Sequence, residues 1–411
     1  MSSDDVRAEE GHAPQTFGAL DLPFVGLTMA GDGTLAARFW LREASRAYVR
    51  KDCESVRLIG DSFRIFWNDK LRPPPKADAA LSRTVSAWGE ELQSSLGRMR
   101  VGIIGAGSVG ALVAEAIART GIGRIRLMDF DSVEVHNLDR LLHATREDAT
   151  LGRAKVAVLA QALSNSAVAT SPLIDSHEAS VVEPEGLKLA LDCDVLFSCV
   201  DRPWPRAVLN MAAYAHLIPV VDGGIRVETK DRRLRRADWK AHVAAPGRPC
   251  LECLRQYDPG DVQTERDGWL DDPTYIQGLS DEHPARRNEN VFAFSMAAAS
   301  LEVLQLLSMV VMPAGVPDGA QVYHFVTGTI DRNQESCRPE CAYSTAFLGL
   351  GDHVPLQVTG PHVAAEQARQ QRITQPIPHG ASTDQGRAFR RAVTSTWGAL
   401  RRRVGAQDER L

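Results

Sequence analysis

Residues 101–131 read VGIIGAGSVGALVAEAIARTGIGRIRLMDFD, and this stretch decides the fold. A short apolar strand pattern, VGII, opens into a loop with Gly105, Gly107 and Gly110 at its first, third and sixth positions. The run ALVAEAIART then has the apolar period of a helix, and IRLMD that of a second strand with Asp129 at its tip. Glycines so spaced permit a tight turn, let backbone approach a phosphate and let the helix pack closely on the sheet. The helix N-terminus adds unpaired N–H groups and a positive dipole end for an anion, and an acid at the end of the next strand can hold ribose hydroxyls. Strand, loop, helix and acid in this order describe an α/β, Rossmann-like nucleotide-binding unit.

The residues that follow choose among nucleotides. Asp131, Asn137 and Arg140 come next, then Gly152-Arg153-Ala154-Lys155, and Asp201 closes the buried-strand run CDVLFSCVD. A dehydrogenase has no need of them. Arginine forks onto phosphate oxygens, lysine supplies a mobile point charge, and aspartate holds Mg²⁺ while leaving its waters in place. On these residues the chain resembles the ThiF/MoeB/HesA family, the ubiquitin-activating-type adenylating enzymes, from about residue 80 to 345.

The resemblance implies that Gly105, Gly107, Gly110, Asp129, Asp131 and Asn137 bind ATP, with Asp129 on the ribose. It puts Asn137, Arg140 and Lys155 on the phosphates and Asp201 on Mg²⁺. It implies that the C-terminal carboxylate of a ubiquitin-like protein or peptide attacks the α-phosphate. A carboxylate is already ionised at neutral pH, so no protein base is needed. In the helix-like RTVSAWGEELQ, Arg83 is the candidate to reach a neighbouring subunit's ATP, which implies a homodimer; an ordinary exposed arginine is the alternative, because the family's usual Arg-Gln pair is Arg83-Thr84 here.

Seven cysteines give a second signal. Cys250 and Cys253 form a C-x2-C pair, and Cys337 and Cys341 a C-x3-C pair. Each pair can give two thiolates to one tetrahedral Zn²⁺, and the resemblance implies a structural zinc; disulfides are the alternative. Conjugating members of the family carry a nucleophilic cysteine after the first pair, and none stands between Cys253 and Cys337. Cys193 and Cys199 read as free core thiols. Cys53 follows Arg50 and Lys51, cations that could lower a thiol pKa, although a structural thiol is the favoured reading. The expectation is adenylation without a conventional internal thioester.

Composition excludes little: 411 residues, 44% hydrophobic, 24% charged, net charge −5. That charge gives no argument for nucleic acid. No secretory leader is read and the expected location is cytoplasmic. The stretch from Leu301 to Met312 is apolar but holds Glu302 and is interrupted by Pro313, too short for a membrane span, so it reads as a core or dimer-interface helix. The expected organisation is a flexible N-terminus (1–16), a β-rich module (17–76), an adenylation domain (77–348), and a polar linker with a basic C-terminal helix (349–411). The module contains no His-x-His, so it is at most a remnant of a JAB-type isopeptidase. In the last segment Phe389, Val393, Trp397 and Leu400 share a helical face.

Three functional classes follow. One is activation of a ubiquitin-like protein in a bacterial conjugation system of the antiphage kind, with a conjugating enzyme as partner. Another is adenylation of a peptide or sulfur carrier in biosynthesis. The last is a nucleotide-binding scaffold or oxidoreductase, which the set Asn137, Arg140, Lys155 and Asp201 argues against.

Overall fold

Buried on both faces, the runs RVGII, RIRLM and VLFS build a parallel sheet, as unbroken apolar strands do when helices cover both sides. The computed structural model describes residues 3–44, 47–60, 62–76, 78–279, 289–311, 320–333 and 336–374. Met1–Arg369 form one compact unit and Gln370–Leu411 another. The expected basic helix carrying Phe389 to Leu400 lies outside the described residues.

The N-terminal part begins with α1 (Ser3–Leu20), where the sequence suggested a flexible lead. A tertiary contact corrects that expectation. Glu9 accepts hydrogen bonds from both Arg38 Nε, at 2.6 Å, and Arg38 Nη2, and from Trp40 Nε1 at 3.3 Å. Gly26 makes room for it, since a Cβ there would stand 2.4 Å from Glu9 Oε1. Three antiparallel strands follow, β1 (Phe24–Met29), β2 (Leu35–Arg42) and β3 (Tyr48–Asp52), then the hairpin β4 (Ser55–Ile59) and β5 (Phe63–Trp67). The stretch from Leu71 to Lys76, which reads as a linker, is anchored: Arg72 is buried, bonds Glu54 at 3.1 Å, lies 3.8 Å from Asp194 and covers the Trp67 ring. The helix expected around Arg83 is two helices, α2 (Ser82–Trp88) and α3 (Glu90–Arg98), broken at Gly89 with φ +87°.

The large sheet starts with β6 (Arg100–Ile104), α4 (Ser108–Arg119) and β7 (Arg124–Met128). It continues through α5 (Arg146–Thr150), α6 (Lys155–Ser166), β8 (Leu173–His177), α7 (Pro184–Leu191), β9 (Val195–Ser198), α8 (Pro203–Ala215), β10 (Val220–Lys230) and β11 (Arg233–Ala244). After α9 (Pro259–Arg266), α10 (Pro273–Gly278) and α11 (Phe292–Val311), it ends in β12 (Ala320–His324) and β13 (Thr329–Asn333). The strand order is β13-β12-β11-β10-β9-β6-β7-β8, parallel from β8 to β10 and antiparallel beyond. Side chains alternate between two cores: Val101, Ile103, Val195 and Phe197 join one, Ile104 and Leu196 the other.

The core placement of the apolar stretch stands as expected, while its length and the course of the tail differ from expectation. Helix α11 has 20 residues and is apolar enough to cross a membrane by length and composition, but it packs on α4, β10 and β11 with Ser295, Glu302 and Gln305 buried. The segment after Gly349 is a strap rather than a free linker. Val358 O accepts from Trp204 Nε1 at 2.7 Å, Gly360 N donates to Val182 O at 2.8 Å, and Arg369 grips Glu183 at 2.7 and 2.9 Å. His362 lies edge-on to both Phe130 and Trp204.

Candidate active site and metal centre

From β6 the chain moves to β7 and β8 on one side of the sheet, then to β9 and β10 on the other. That reversal makes a switch point between β6 and β9, the place at the carboxyl ends of the strands where open α/β sheets bind their ligands. The sequence places its signature residues around it. The loop Gly105–Gly110 follows β6, Asp129 follows β7, and Cys199 to Asp201 follow β9.

Each glycine has a separate reason. Gly105 has φ +92°, and a Cβ on it would stand 2.4 Å from Cys199 O. A Cβ on Gly110 would fall 1.9 Å from Gly105 O, so α4 can press against the loop only without one. At Gly107 nothing lies within 4 Å of where a Cβ would be, which leaves the backbone open to a ligand.

Asp129 is fixed by two backbone donors, Ala106 N and Asp131 N, both at 2.7 Å. Each of its oxygens keeps a lone pair for a hydroxyl. Asp131 is the partner of Lys155: Lys155 Nζ lies 2.7 Å from Asp131 Oδ2, and Lys155 N donates to Asp131 O at 3.0 Å. Burial works against the Lys155 ammonium, but Asp129, Asp131 and Asp201 outweigh it and hold the group above the ordinary lysine value. Thus Asp129, Asp131, Lys155 and Asp201 converge. A polyphosphate fits this arrangement, with loop N–H groups and a charged lysine on one side. The carboxylates of Asp131 and Asp201 are hard oxygen donors of the kind Mg²⁺ takes while keeping waters.

Other candidates stand apart. Asn137 Oδ1 accepts from Glu134 N at 3.1 Å and caps a turn. Arg140 Nη1 donates to His136 O at 2.6 Å and Asp139 Oδ1 at 2.9 Å. Among the described residues no hydrogen bond or ion pair joins either of them to Asp129, Lys155 or Asp201. Arg83 is exposed on α2.

Sequence reasoning missed a second group beside the loop. Asp222, buried on β10, accepts from Ser198 Oγ at 2.6 Å and Arg206 Nε at 3.1 Å. Arg206 Nη2 also donates to Gly223 O at 2.9 Å. On the opposite face of β10, Glu302 Oε2 accepts from Cys199 Sγ at 3.6 Å, and burial with Asp222 nearby holds the Glu302 carboxyl well above the usual range. An aspartate inside the apolar run IPVVDGG, and a glutamate in the most apolar helix, were the available signals.

The four paired cysteines meet. The Sγ atoms of Cys250, Cys253, Cys337 and Cys341 all lie within 4.8 Å of one another, and none is in a disulfide. Cys250 N donates to Cys337 Sγ at 3.1 Å and Cys253 N to Cys250 Sγ at 3.3 Å, the support that thiolate ligands receive. A tetrahedral Zn²⁺ with four sulfurs at about 2.3 Å suits this closed site. The other thiols are not activated. Burial and Asp52 push the Cys53 thiol up, against the expectation that Arg50 and Lys51 could lower it. Burial pushes Cys193 up to about 12 and holds Cys199 well above the ordinary thiol value.

The chain is similar to proteins already known. The chain is 32% identical over 166 residues to the molybdopterin-synthase adenylyltransferase of Escherichia coli, covering 39% of this chain and 61% of that one. It is 34% identical over 213 residues to the adenylyltransferase and sulfurtransferase MOCS3 of Anopheles gambiae, covering 51% of this chain and 45% of the relative. The chain therefore spans about half the length of these relatives. The crystal structure of E. coli MccB with MccA superimposes with a TM-score of 0.50 at 19% identity, over 66% of this chain and 75% of that one, which shows a shared fold. Residues 81–340, more than half of the protein, match the ThiF family, and the chain belongs to it.

Proposed function

We propose that the protein uses ATP to adenylate the C-terminal carboxylate of a small protein or peptide. The observation that carries this reading is the convergence of Lys155 with Asp129, Asp131 and Asp201 at the mouth of the glycine loop. A carboxylate oxygen forms a bond to the α-phosphorus, the bond to the bridging oxygen of the β-phosphate breaks, and pyrophosphate leaves. Lys155 holds negative charge on the phosphates as it moves to the leaving group, and Asp129 orients the ribose. Asp201, with Asp131, would hold Mg²⁺, which neutralises the departing pyrophosphate. Arg140 and Asn137 would turn from their local partners towards the phosphates, and Arg83 would act across a homodimer.

A ubiquitin-like protein in a cytoplasmic bacterial conjugation system, serving antiviral defence and supplying a conjugating enzyme, is the partner we favour. A peptide or sulfur carrier in biosynthesis is the second reading. The raised thiols of Cys53, Cys193 and Cys199 favour direct transfer of the acyl group to an external acceptor in either case.

The test is ATP–pyrophosphate exchange with the small proteins and peptides encoded beside the gene, followed by a non-reducing gel. Exchange that depends on one of them and leaves no thiol-sensitive adduct on the enzyme is the expected result. Nucleotide binding with no exchange for any candidate overturns the proposal in favour of a scaffold.

A further inference from the structure

Five residues after Asp201, in the first turns of α8, Arg206 faces a bare patch of β10 at Gly224. A Cβ on Gly224 would lie 3.3 Å from Arg206 Nη2 and 3.3 Å from Lys240 Cε, so two cations flank the spot where a side chain is missing. Lys240 stands directly across from Gly224 in the β10–β11 register and is only partly buried. The two cations are differently committed. Arg206 Nε is held by Asp222 and one Nη2 proton by Gly223 O, which leaves the Nη1 edge available. Lys240 has no carboxylate within ion-pair distance among the described residues. Arg226, farther along β10, is already paired with Glu228 at 2.7 Å, and burial holds the Glu302 carboxyl on α11 well above the usual carboxylate range. Among the described residues, Asp222 is the one carboxylate within ion-pair distance of this pair of cations, and it is held by Arg206. Burial and Arg206 pull the Lys240 ammonium down to about 8, the cost of a charge that lacks its own anion.

Position indicates what that anion is. Asp222 is level with Ser198, and Ser198 with Ile104, so the patch lies level with the start of the glycine loop and two strands away from it. Two strand spacings are about 10 Å, or about three residues of extended chain. A carboxylate in this niche is therefore too far from the loop to be the one that reacts. It is at the right distance to be a side chain upstream in the same tail.

We infer that Arg206 and Lys240 form a second recognition point for the acyl substrate, binding an acidic side chain about three residues before the carboxylate that is activated. This role rests on the adenylation proposed above. The niche thereby selects substrates whose tails carry Asp or Glu at that position, and rejects those with a basic residue there by repulsion.

The experiment is fluorescence anisotropy on the full chain with two labelled hexapeptides, Ala-Ala-Glu-Gly-Gly-Gly and Ala-Ala-Gln-Gly-Gly-Gly. The glutamate peptide should bind about tenfold more tightly, as expected for a charged contact that is partly desolvated. Lys240→Met should remove the preference while circular dichroism stays unchanged, and Lys240→Arg should retain it. Equal binding of the two peptides, no binding of either at about 1 mM, or a preference that survives Lys240→Met overturns the inference. Peptide binding is read without turnover. A glutamate preference without pyrophosphate exchange would sink the adenylation reading alone, and exchange without the preference would sink the niche alone.

Discussion

Lys155 Nζ lies 2.7 Å from Asp131 Oδ2, so the cation is held by the carboxylate two residues beyond Asp129, the proposed ribose ligand. Desolvated and surrounded by three acids, it stays charged throughout the physiological range. In the proposed reaction, polyphosphate takes over that pairing. Lys155→Met should therefore lower pyrophosphate exchange by about 10²- to 10³-fold, as loss of a preorganised charge at a transition state does. The far-ultraviolet spectrum and melting temperature should remain near wild type. Exchange within threefold of wild type would show that Lys155 does not meet the phosphates.

Gly110 tests the loop itself. A Cβ would fall 1.9 Å from Gly105 O, a backbone atom that cannot rotate away. Gly110→Ala should cost about 2 kcal/mol and weaken nucleotide binding. Gly107→Ala meets nothing within 4 Å in the protein and should keep its stability while losing nucleotide affinity. Urea unfolding and nucleotide titration on the two variants separate packing from ligand approach.

Metal analysis of the purified chain should find about one Zn²⁺ per molecule. Cys250→Ser should release it and lower the melting temperature by about 10 °C, because metal-binding free energy at such a site is folding free energy. The variant should unfold near wild-type temperature only if the four thiols hold no metal.

Glu265 gives a pH signature. Its Oε2 accepts from Trp204 N at 2.8 Å at the start of α8, and burial pushes its carboxyl up to about 7 despite Arg202 nearby, with Asp271 and Asp201 adding to the rise. The folded chain thus keeps a proton that the unfolded chain loses near 4.5. The stabilisation is complete below about 4.5 and disappears as pH rises to about 7. Glu265→Gln cannot titrate, so relative to it the wild type should lose on the order of 1–3 kcal/mol between pH 5 and pH 8. Urea midpoints at the two values check the sign. A parallel pH response of the two proteins would refute it.

Much of the site was legible because its signals are local. Gly105, Gly107, Gly110 and Asp129 sit within one strand-helix-strand unit, and the cysteine pairs are close in sequence, so spacing alone carries their meaning. Asn137 and Arg140 were equally visible, but their partners in the folded chain are neighbours in the same turn. The flexible start, the linker and the polar tail are expectations that rest on composition alone. Composition could not anticipate Glu9 meeting Arg38, Arg72 approaching Asp194, or Arg369 gripping Glu183.

The sequence by itself determined the nucleotide-binding unit, the family and the four-cysteine set, because each is a short pattern whose chemistry follows from residue type and spacing. Tertiary structure alone decided that Asp131 holds Lys155, that no remaining thiol is activated, and that Arg206, Asp222 and Lys240 gather beside the loop. Those outcomes depend on which strands become neighbours and how much water packing removes. Both are set by the fold as a whole rather than by any one segment of the chain.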